Sequence, residues 1–183
     1  MGHSGAEADV ARDAFAAGAR MVTHLFNGMS GLDHRHPGVA AAALLDDAVT
    51  AGLIADGVHV HPDLVRLAFR TKGPGRIALV TDAVGWRAGT VGHLEIAHDG
   101  TAPRLADGTL AGSSLTLDRA IANVVAWGAT DLVGAVRAAA TTPADLLGRP
   151  DLGRIAPGAR ADLAALGSDG LCAATWLGGQ QVA

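Results

Sequence analysis

The 183-residue chain has one cysteine (Cys172), one lysine (Lys72), no basic run and no long apolar stretch. Each shortage removes a class of function. A lone cysteine excludes an internal disulfide framework and a multi-thiolate metal site, and it fits a reducing, cytoplasmic setting. Any metal centre must then use histidine and carboxylate. A net charge of −4, with acidic residues spread along the chain, gives no electrostatic footprint for nucleic acid or an anionic membrane. The longest apolar run, Val39 to Leu45, is far short of the about 20 residues that span a bilayer, and no basic segment followed by an apolar one opens the chain. The expectation is a soluble cytoplasmic protein with a small-molecule partner, which one or two local cations would suit to an anionic ligand.

Apolar residues make up 49% of the chain and charged residues 17%, enough buried surface to offset the entropy of ordering. The length suits one domain, or a domain with a small appendage. Ala6 to Ala17 places Val10, Ala14 and Phe15 at helical spacing before Gly18, and Met21 to Leu25 is short and apolar. The alternation recurs: helix over Val39 to Leu45, strand over Val49 to Ala55, helix over Pro62 to Arg70, strand over Arg76 to Thr81. Continuously apolar strands separated by helices predict a parallel sheet covered on both faces. From Gly85 to Gly108 the glycine-rich texture suits a loop or hairpin. Leu115 to Trp127 and Asp131 to Ala140 read as helices, Pro143 to Leu147 starts another, and Gly153 to Val182 turns β-like.

Polar residues stand where the strands end. His24 ends the first strand, Asp56 and His59 follow the second, Asp82 ends the third, and His3 stands where a still earlier strand would end. The intervals His3 to His24, His24 to His59 and His59 to Asp82 are 21, 35 and 23 residues, each about one strand-plus-helix unit. In a (β/α)8 barrel such ends converge on one face, whereas an open doubly wound sheet would spread them along an edge, and no phosphate-binding glycine loop supports that alternative. A histidine near a turn is by itself commonly a surface group; the joint placement carries the argument. Neutral imidazoles bind a divalent ion while a carboxylate handles a water proton, so His3, His24 and Asp82 suit a metal-dependent hydrolase. Asp56 has a simpler reading as a turn cap before Gly57. His34-Arg35-His36 reads as a solvated loop, because neighbours in extended backbone point apart. His61, His93 and His98 receive no role.

Five segments then become recognisable in order: Gly2-His3-Ser4, Thr23-His24-Leu25-Phe26-Asn27-Gly28-Met29, Ile54-Ala55-Asp56-Gly57-Val58-His59, Leu79-Val80-Thr81-Asp82-Ala83 and Asp107-Gly108-Thr109-Leu110-Ala111-Gly112-Ser113. As a set they resemble the successive motifs of N-acetylglucosamine-6-phosphate deacetylases, over nearly the whole chain. The resemblance implies the C-terminal half of a (β/α)8 barrel of the metal-dependent hydrolase type over residues 1–150, then a small β segment over 151–183. It makes His3 and His24 metal ligands after the fifth and sixth barrel strands, and Asp82, after the eighth, the general base. In that family a metal-activated water attacks the acetyl carbonyl, and the aspartate takes its proton and returns one to the departing amine. Asn27 and Gly28 would contact substrate, His59 the sugar-phosphate region, and Ala111, Gly112 and Ser113 would line the site. Arg35 matches an arginine that reaches the phosphate of a neighbouring subunit, which implies a homodimer; an arginine fork suits phosphate through paired, charge-assisted hydrogen bonds. The metal is a divalent ion, zinc first, with iron, manganese or cobalt as alternatives. Gly153 to Leu163 resembles the entry to the C-terminal β-domain of many amidohydrolases.

A complete member of that family has an N-terminal half with the first barrel strands, a glutamate ligand and a histidine that polarises the carbonyl. The chain begins at Met1-Gly2-His3, inside the expected fifth strand, so the expectation is a truncated form that is inactive or nearly so alone. Two histidines fall short of the three protein ligands of a catalytic zinc site. The alternatives are an amidohydrolase with another amide or ring substrate, and a non-catalytic remnant.

Overall fold

Alanine-rich helical stretches alternating with short β-branched runs give the expected helix-and-strand order in the computed structural model, which describes residues 1–182. Helix α1 (Ala8–Ala16) buries Ala8, Ala11 and Phe15, one stripe at three- and four-residue spacing, and Gly18 at φ 108° ends the turn that follows. Strands β1 (Met21–Val22), β2 (Thr50–Leu53) and β3 (Ile77–Leu79) form a parallel sheet in the order β1-β2-β3. Met21 pairs with Thr50, and Ala51, Gly52 and Leu53 pair with Ile77, Ala78 and Leu79. Every residue of β2 and β3 is buried, which is why both read as unbroken apolar runs.

Helices α2 (Gly38–Leu45) and α3 (Pro62–Lys72) make the crossovers. Apolar almost all round, α2 buries six of its residues. Its last carbonyls need partners, and Lys72 supplies them: the buried ammonium donates to the carbonyl of Ala43 at 2.9 Å and to that of Asp46. The N-terminal residue lies alongside β1, where its ammonium donates to the Met21 carbonyl at 2.6 Å and its own carbonyl accepts from the Thr23 amide at 2.9 Å. His3 is thereby brought level with the end of β1.

After β3 comes a 3-10 turn (Trp86–Ala88) and two small antiparallel pairs, β4 (Thr90–Val91) with β5 (Leu94–Glu95) and β6 (Ala97–His98) with β7 (Pro103–Arg104). Helix α4 (Leu117–Ala126) returns to the core. Helix α5 (Leu132–Val136) then runs through a π-helical turn, Arg137–Thr141, directly into α6 (Thr142–Leu146). The two helices expected there are thus one irregular rod; Pro143 has no N–H to donate, and the wider π turn absorbs the missing bond at its first residues. Strands β8 (Leu163–Leu166), β9 (Cys172–Leu177) and β10 (Gln180–Gln181) form a separate antiparallel sheet with no buried residue. It meets the rest where the Asp118 carboxylate accepts from the Cys172 amide at 2.9 Å. One apolar cluster joins α1 to α4, the parallel sheet and the α5 rod, with Val22, Leu25, Leu53, Ile54 and Ile77 fully enclosed. Among the described residues no helix is long and apolar enough to cross a membrane.

Candidate active site

Because β1, β2 and β3 are parallel, the segments leaving their C-terminal ends emerge on one side of the sheet. There the backbone departs from the conformations ordinary residues prefer. Among the described residues four non-glycines have positive φ: His3 at 47°, His24 at 32°, Phe26 at 77° and Asp82 at 51°. Three of them are the sequence candidates for metal and base. Such conformations cost about 1–3 kcal/mol each and cluster where geometry serves function. β1 is only two residues long although the sequence predicts a strand over Met21 to Leu25: His24, at φ 32°, has left extended geometry, while the Leu25 amide still donates to the Gly52 carbonyl of β2 at 2.7 Å.

The turn aims His24. Its ring is buried, and Nδ1–H donates to the Asn27 carbonyl at 3.0 Å; a carbonyl only accepts, so the tautomer is fixed and Nε2 carries the lone pair. That Nε2 lies 3.0 Å from Nε2 of the exposed His3, with the rings edge to face at 4.6 Å between centroids. Two nitrogens of a tetrahedral zinc site stand about 3.3 Å apart for bonds of about 2.0 Å. The pair fits two corners of such a site. Among the described residues no group of three or more histidine, cysteine, aspartate or glutamate side chains could hold a metal, so a third protein ligand is not supplied there. Gly28 is packed against His3: at φ 60°, a Cβ on it would lie 2.7 Å from His3 Nδ1. Asn27 also ties its own side chain to the turn, donating to the Leu25 carbonyl at 3.3 Å.

Asp82 leaves β3 exposed to solvent, two strand positions from β1, a backbone separation of about 10 Å for strands about 4.8 Å apart. Its backbone is clamped by the segment 111–115. The Ser113 amide donates to the Asp82 carbonyl at 2.8 Å, the Val84 amide donates to the Ser113 carbonyl at 3.1 Å, and Ala83 bridges Ser113 in parallel. The Ser113 hydroxyl, 1% exposed, donates to the Thr81 carbonyl and accepts from the Leu115 amide at 3.0 Å. That hydroxyl is spent on holding the end of β3, so its side chain is structural in this arrangement. Gly112 allows the approach: a Cβ there would meet the Asp82 carbonyl at 2.7 Å and Val84 Cγ1 at 2.5 Å. Ala111 is half-buried beside it, its amide donating to the Pro103 carbonyl at 3.0 Å.

One pairing escaped the sequence reading. Asp56 does cap its turn, accepting from the amides of Val58 at 2.9 Å and His59 at 2.8 Å, but its second oxygen accepts from His59 Nδ1–H at 2.6 Å. The two side chains are only 12% and 6% exposed. Burial pushes the Asp56 carboxyl up, yet the His59 ring and the two amides outweigh it and hold it below the ordinary carboxylate value. The i, i+3 spacing across Gly57, at φ 78°, is the signal that was available.

Arg35 is not drawn into this group. It lies on an exposed loop whose bend is fixed by Asp33, which accepts from the amides of Arg35 at 2.8 Å and His36 at 2.9 Å; the guanidinium has no carboxylate within ion-pair distance among the described residues. His61 is an N-cap, accepting from the Asp63 amide at 3.2 Å. Two recesses of about 580 and 530 Å³ lie elsewhere, and neither is lined by His3, His24 or Asp82.

Comparisons with known proteins place the chain in a family. The model of the amidohydrolase family matches residues 1–182. An N-acetylgalactosamine-6-phosphate deacetylase of Shewanella sp. (strain ANA-3) is 38% identical over 98% of the chain and 47% of its own length. An N-acetylglucosamine-6-phosphate deacetylase of Vibrio furnissii is 38% identical over 100% of the chain and 47% of its own length. The solved structure of a mutant N-acetyl-D-glucosamine-6-phosphate deacetylase from Mycobacterium smegmatis, in complex with N-acetyl-D-glucosamine-6-phosphate, superposes with a TM-score of 0.92 at 38% identity, covering 98% of the chain and 50% of that structure. The chain therefore spans about half the length of these relatives, and it belongs to the amidohydrolase family.

Proposed function

We propose that the chain is the C-terminal half of a (β/α)8 metal-dependent hydrolase that removes the acetyl group from N-acetylglucosamine 6-phosphate. On this reading residues 1–150 carry the last barrel strands and 151–183 a small β segment. The observation that carries the reading is the His3–His24 pair: two Nε2 atoms 3.0 Å apart, one with its tautomer fixed by a carbonyl, on the sheet end where Asp82 also emerges.

When bound, a divalent ion, zinc first, supplies Lewis acidity and lowers the pKa of water to about 7. His3 and His24 hold it, with a third ligand from the complementary half. Asp82, exposed on a backbone clamped by Ser113, accepts the proton of the attacking water and passes one to the departing amine. Asn27 orients His24 through its carbonyl, Gly28 leaves the room that the His3 ring occupies, and the two contact substrate. His59, oriented by Asp56, faces the sugar-phosphate region, while Ala111 and Gly112 line the pocket with backbone, and Ser113 holds it. The unpaired guanidinium of Arg35 suits the phosphate of a neighbouring copy in a cytoplasmic homodimer. A second reading, the 4-epimeric N-acetylgalactosamine 6-phosphate, is favoured by the name of the Shewanella relative.

The test joins this chain to the N-terminal half of the Vibrio furnissii relative and follows acetate release from both sugar phosphates and their unphosphorylated forms. Turnover confined to a phosphorylated acetamido sugar supports the reading. A folded, zinc-loaded protein that releases no acetate from either contradicts it.

A further inference from the structure

The end of the sheet opposite His3, His24 and Asp82 carries a second cluster of polar groups. Arg20 precedes β1 and Arg76 precedes β3; together with Arg137, from the π turn, they line a recess of about 530 Å³ with Thr50, Gly75 and Thr142. The three guanidiniums belong to segments far apart in sequence, and parallel strand order alone brings the first two to the same rim. Arg137 reaches across Gly75, where its Nη2 would be 3.1 Å from a Cβ, so glycine leaves the room the side chain occupies.

What distinguishes them is that three guanidiniums without a partner line a single recess. Most arginines whose side chains are fixed in this fold have a carboxylate: Arg12 on Asp9, Arg66 on Asp63, Arg149 on Asp151, Arg154 on Asp145. Arg104, in the other recess, is held by Asp99 and the Gly108 carbonyl. None of Arg20, Arg76 and Arg137 donates a side-chain hydrogen bond or forms an ion pair with any described residue. The one acid on the wall, Asp145, is already engaged by Arg154, and Thr142 donates its hydroxyl to the Pro74 carbonyl at 2.8 Å. Three cations therefore line one concavity with a single carboxylate, Asp145, which pairs with none of them, in a chain whose net charge is −4. Like charges gathered this way repel, and an anion relieves the repulsion.

We propose that this recess binds a small diphosphate-bearing anion, at a site separate from the hydrolytic one. Guanidinium forks match phosphoryl oxygens, and recesses of about 300–1,000 Å³ are the size of small-molecule sites. A single phosphoryl group carries about −1.5 to −2 at neutral pH, too little for three cations; two linked phosphoryl groups balance them.

The probes are inorganic pyrophosphate and inorganic phosphate, titrated calorimetrically into the purified full chain. The expected result is one saturable site, tighter for pyrophosphate than for phosphate by at least about tenfold, the factor that one further charged hydrogen bond supplies. Arg76→Gln and Arg20→Gln, both exposed changes, each weaken pyrophosphate by about tenfold or more, while Arg70→Gln, exposed on α3 and outside the recess, leaves it unchanged. Circular dichroism checks that each variant is folded, and Arg137→Gln serves as a third variant should either of the first two fail that check. Absence of saturable binding, equal affinity for the two anions, or unchanged affinity in the folded arginine variants overturns the proposal.

Discussion

Nε2 of His24 and Nε2 of His3 lie 3.0 Å apart across 21 residues of sequence, and only one of the two rings is buried. The asymmetry has a structural origin. His24 is locked from behind by the Asn27 carbonyl, whereas His3 is carried by a short segment pinned to β1 through Met1. On the proposed reading, His24→Ala in the joined protein lowers zinc affinity by well over tenfold, since even loss of an outer-shell partner costs about 10–100-fold. Competition with a chromogenic chelator measures this, and an unchanged affinity contradicts the ligand assignment.

Gly28→Ala puts a methyl 2.7 Å from His3 Nδ1 at a φ of 60°. The backbone term alone costs about 1–2 kcal/mol, and the ring must move. The variant is expected to lose stability in urea and to bind zinc more weakly together; loss of one without the other separates backbone strain from ring placement.

Ser113→Ala removes the donor to the Thr81 carbonyl and the acceptor of the Leu115 amide at a site 1% exposed. Leaving these groups unsatisfied costs about 1–3 kcal/mol. Chemical denaturation reads the loss. A destabilisation within experimental error of zero contradicts the view that this hydroxyl anchors the strand end bearing Asp82.

Asp56 gives a pH-dependent prediction. Its folded carboxyl titrates below the ordinary value of 3.8, so its contribution is present above that value and is lost as pH falls through the folded pKa. Asp56→Asn, which cannot take the charge, is therefore less stable than the parent at pH 6, and the gap narrows below about pH 4, where the unfolded group protonates first. Thermal unfolding from pH 6 to pH 2 measures the gap; a gap that widens toward acid contradicts the assignment.

Much of this arrangement was legible beforehand because it follows from chain order. Apolar strands alternating with helices imply a parallel sheet, and a parallel sheet delivers its strand ends to one side, so His24 and Asp82 could be placed from spacing alone. What spacing could not show is how the chain leaves the strands. His3, His24 and Asp82 all adopt left-handed backbone there, and Gly28 against His3 and Gly112 against Asp82 are close approaches between segments distant in sequence. The Asp56–His59 pair was hidden because Asp before Gly already had a sufficient explanation as a turn cap. The π turn at Arg137–Thr141 was invisible because alanine-rich sequence continues any helix equally well.

On the proposed reading Asp82 acts as the base beside a metal held by His3 and His24. Asp82→Asn in the joined protein tests it most directly, with zinc content and acetate release measured on the same sample. The expected result is an intact fold, parental zinc content, and acetate release lowered by about 10²–10⁴-fold, the usual contribution of a positioned general base. Zinc retained with acetate release within a few-fold of the parent would contradict it.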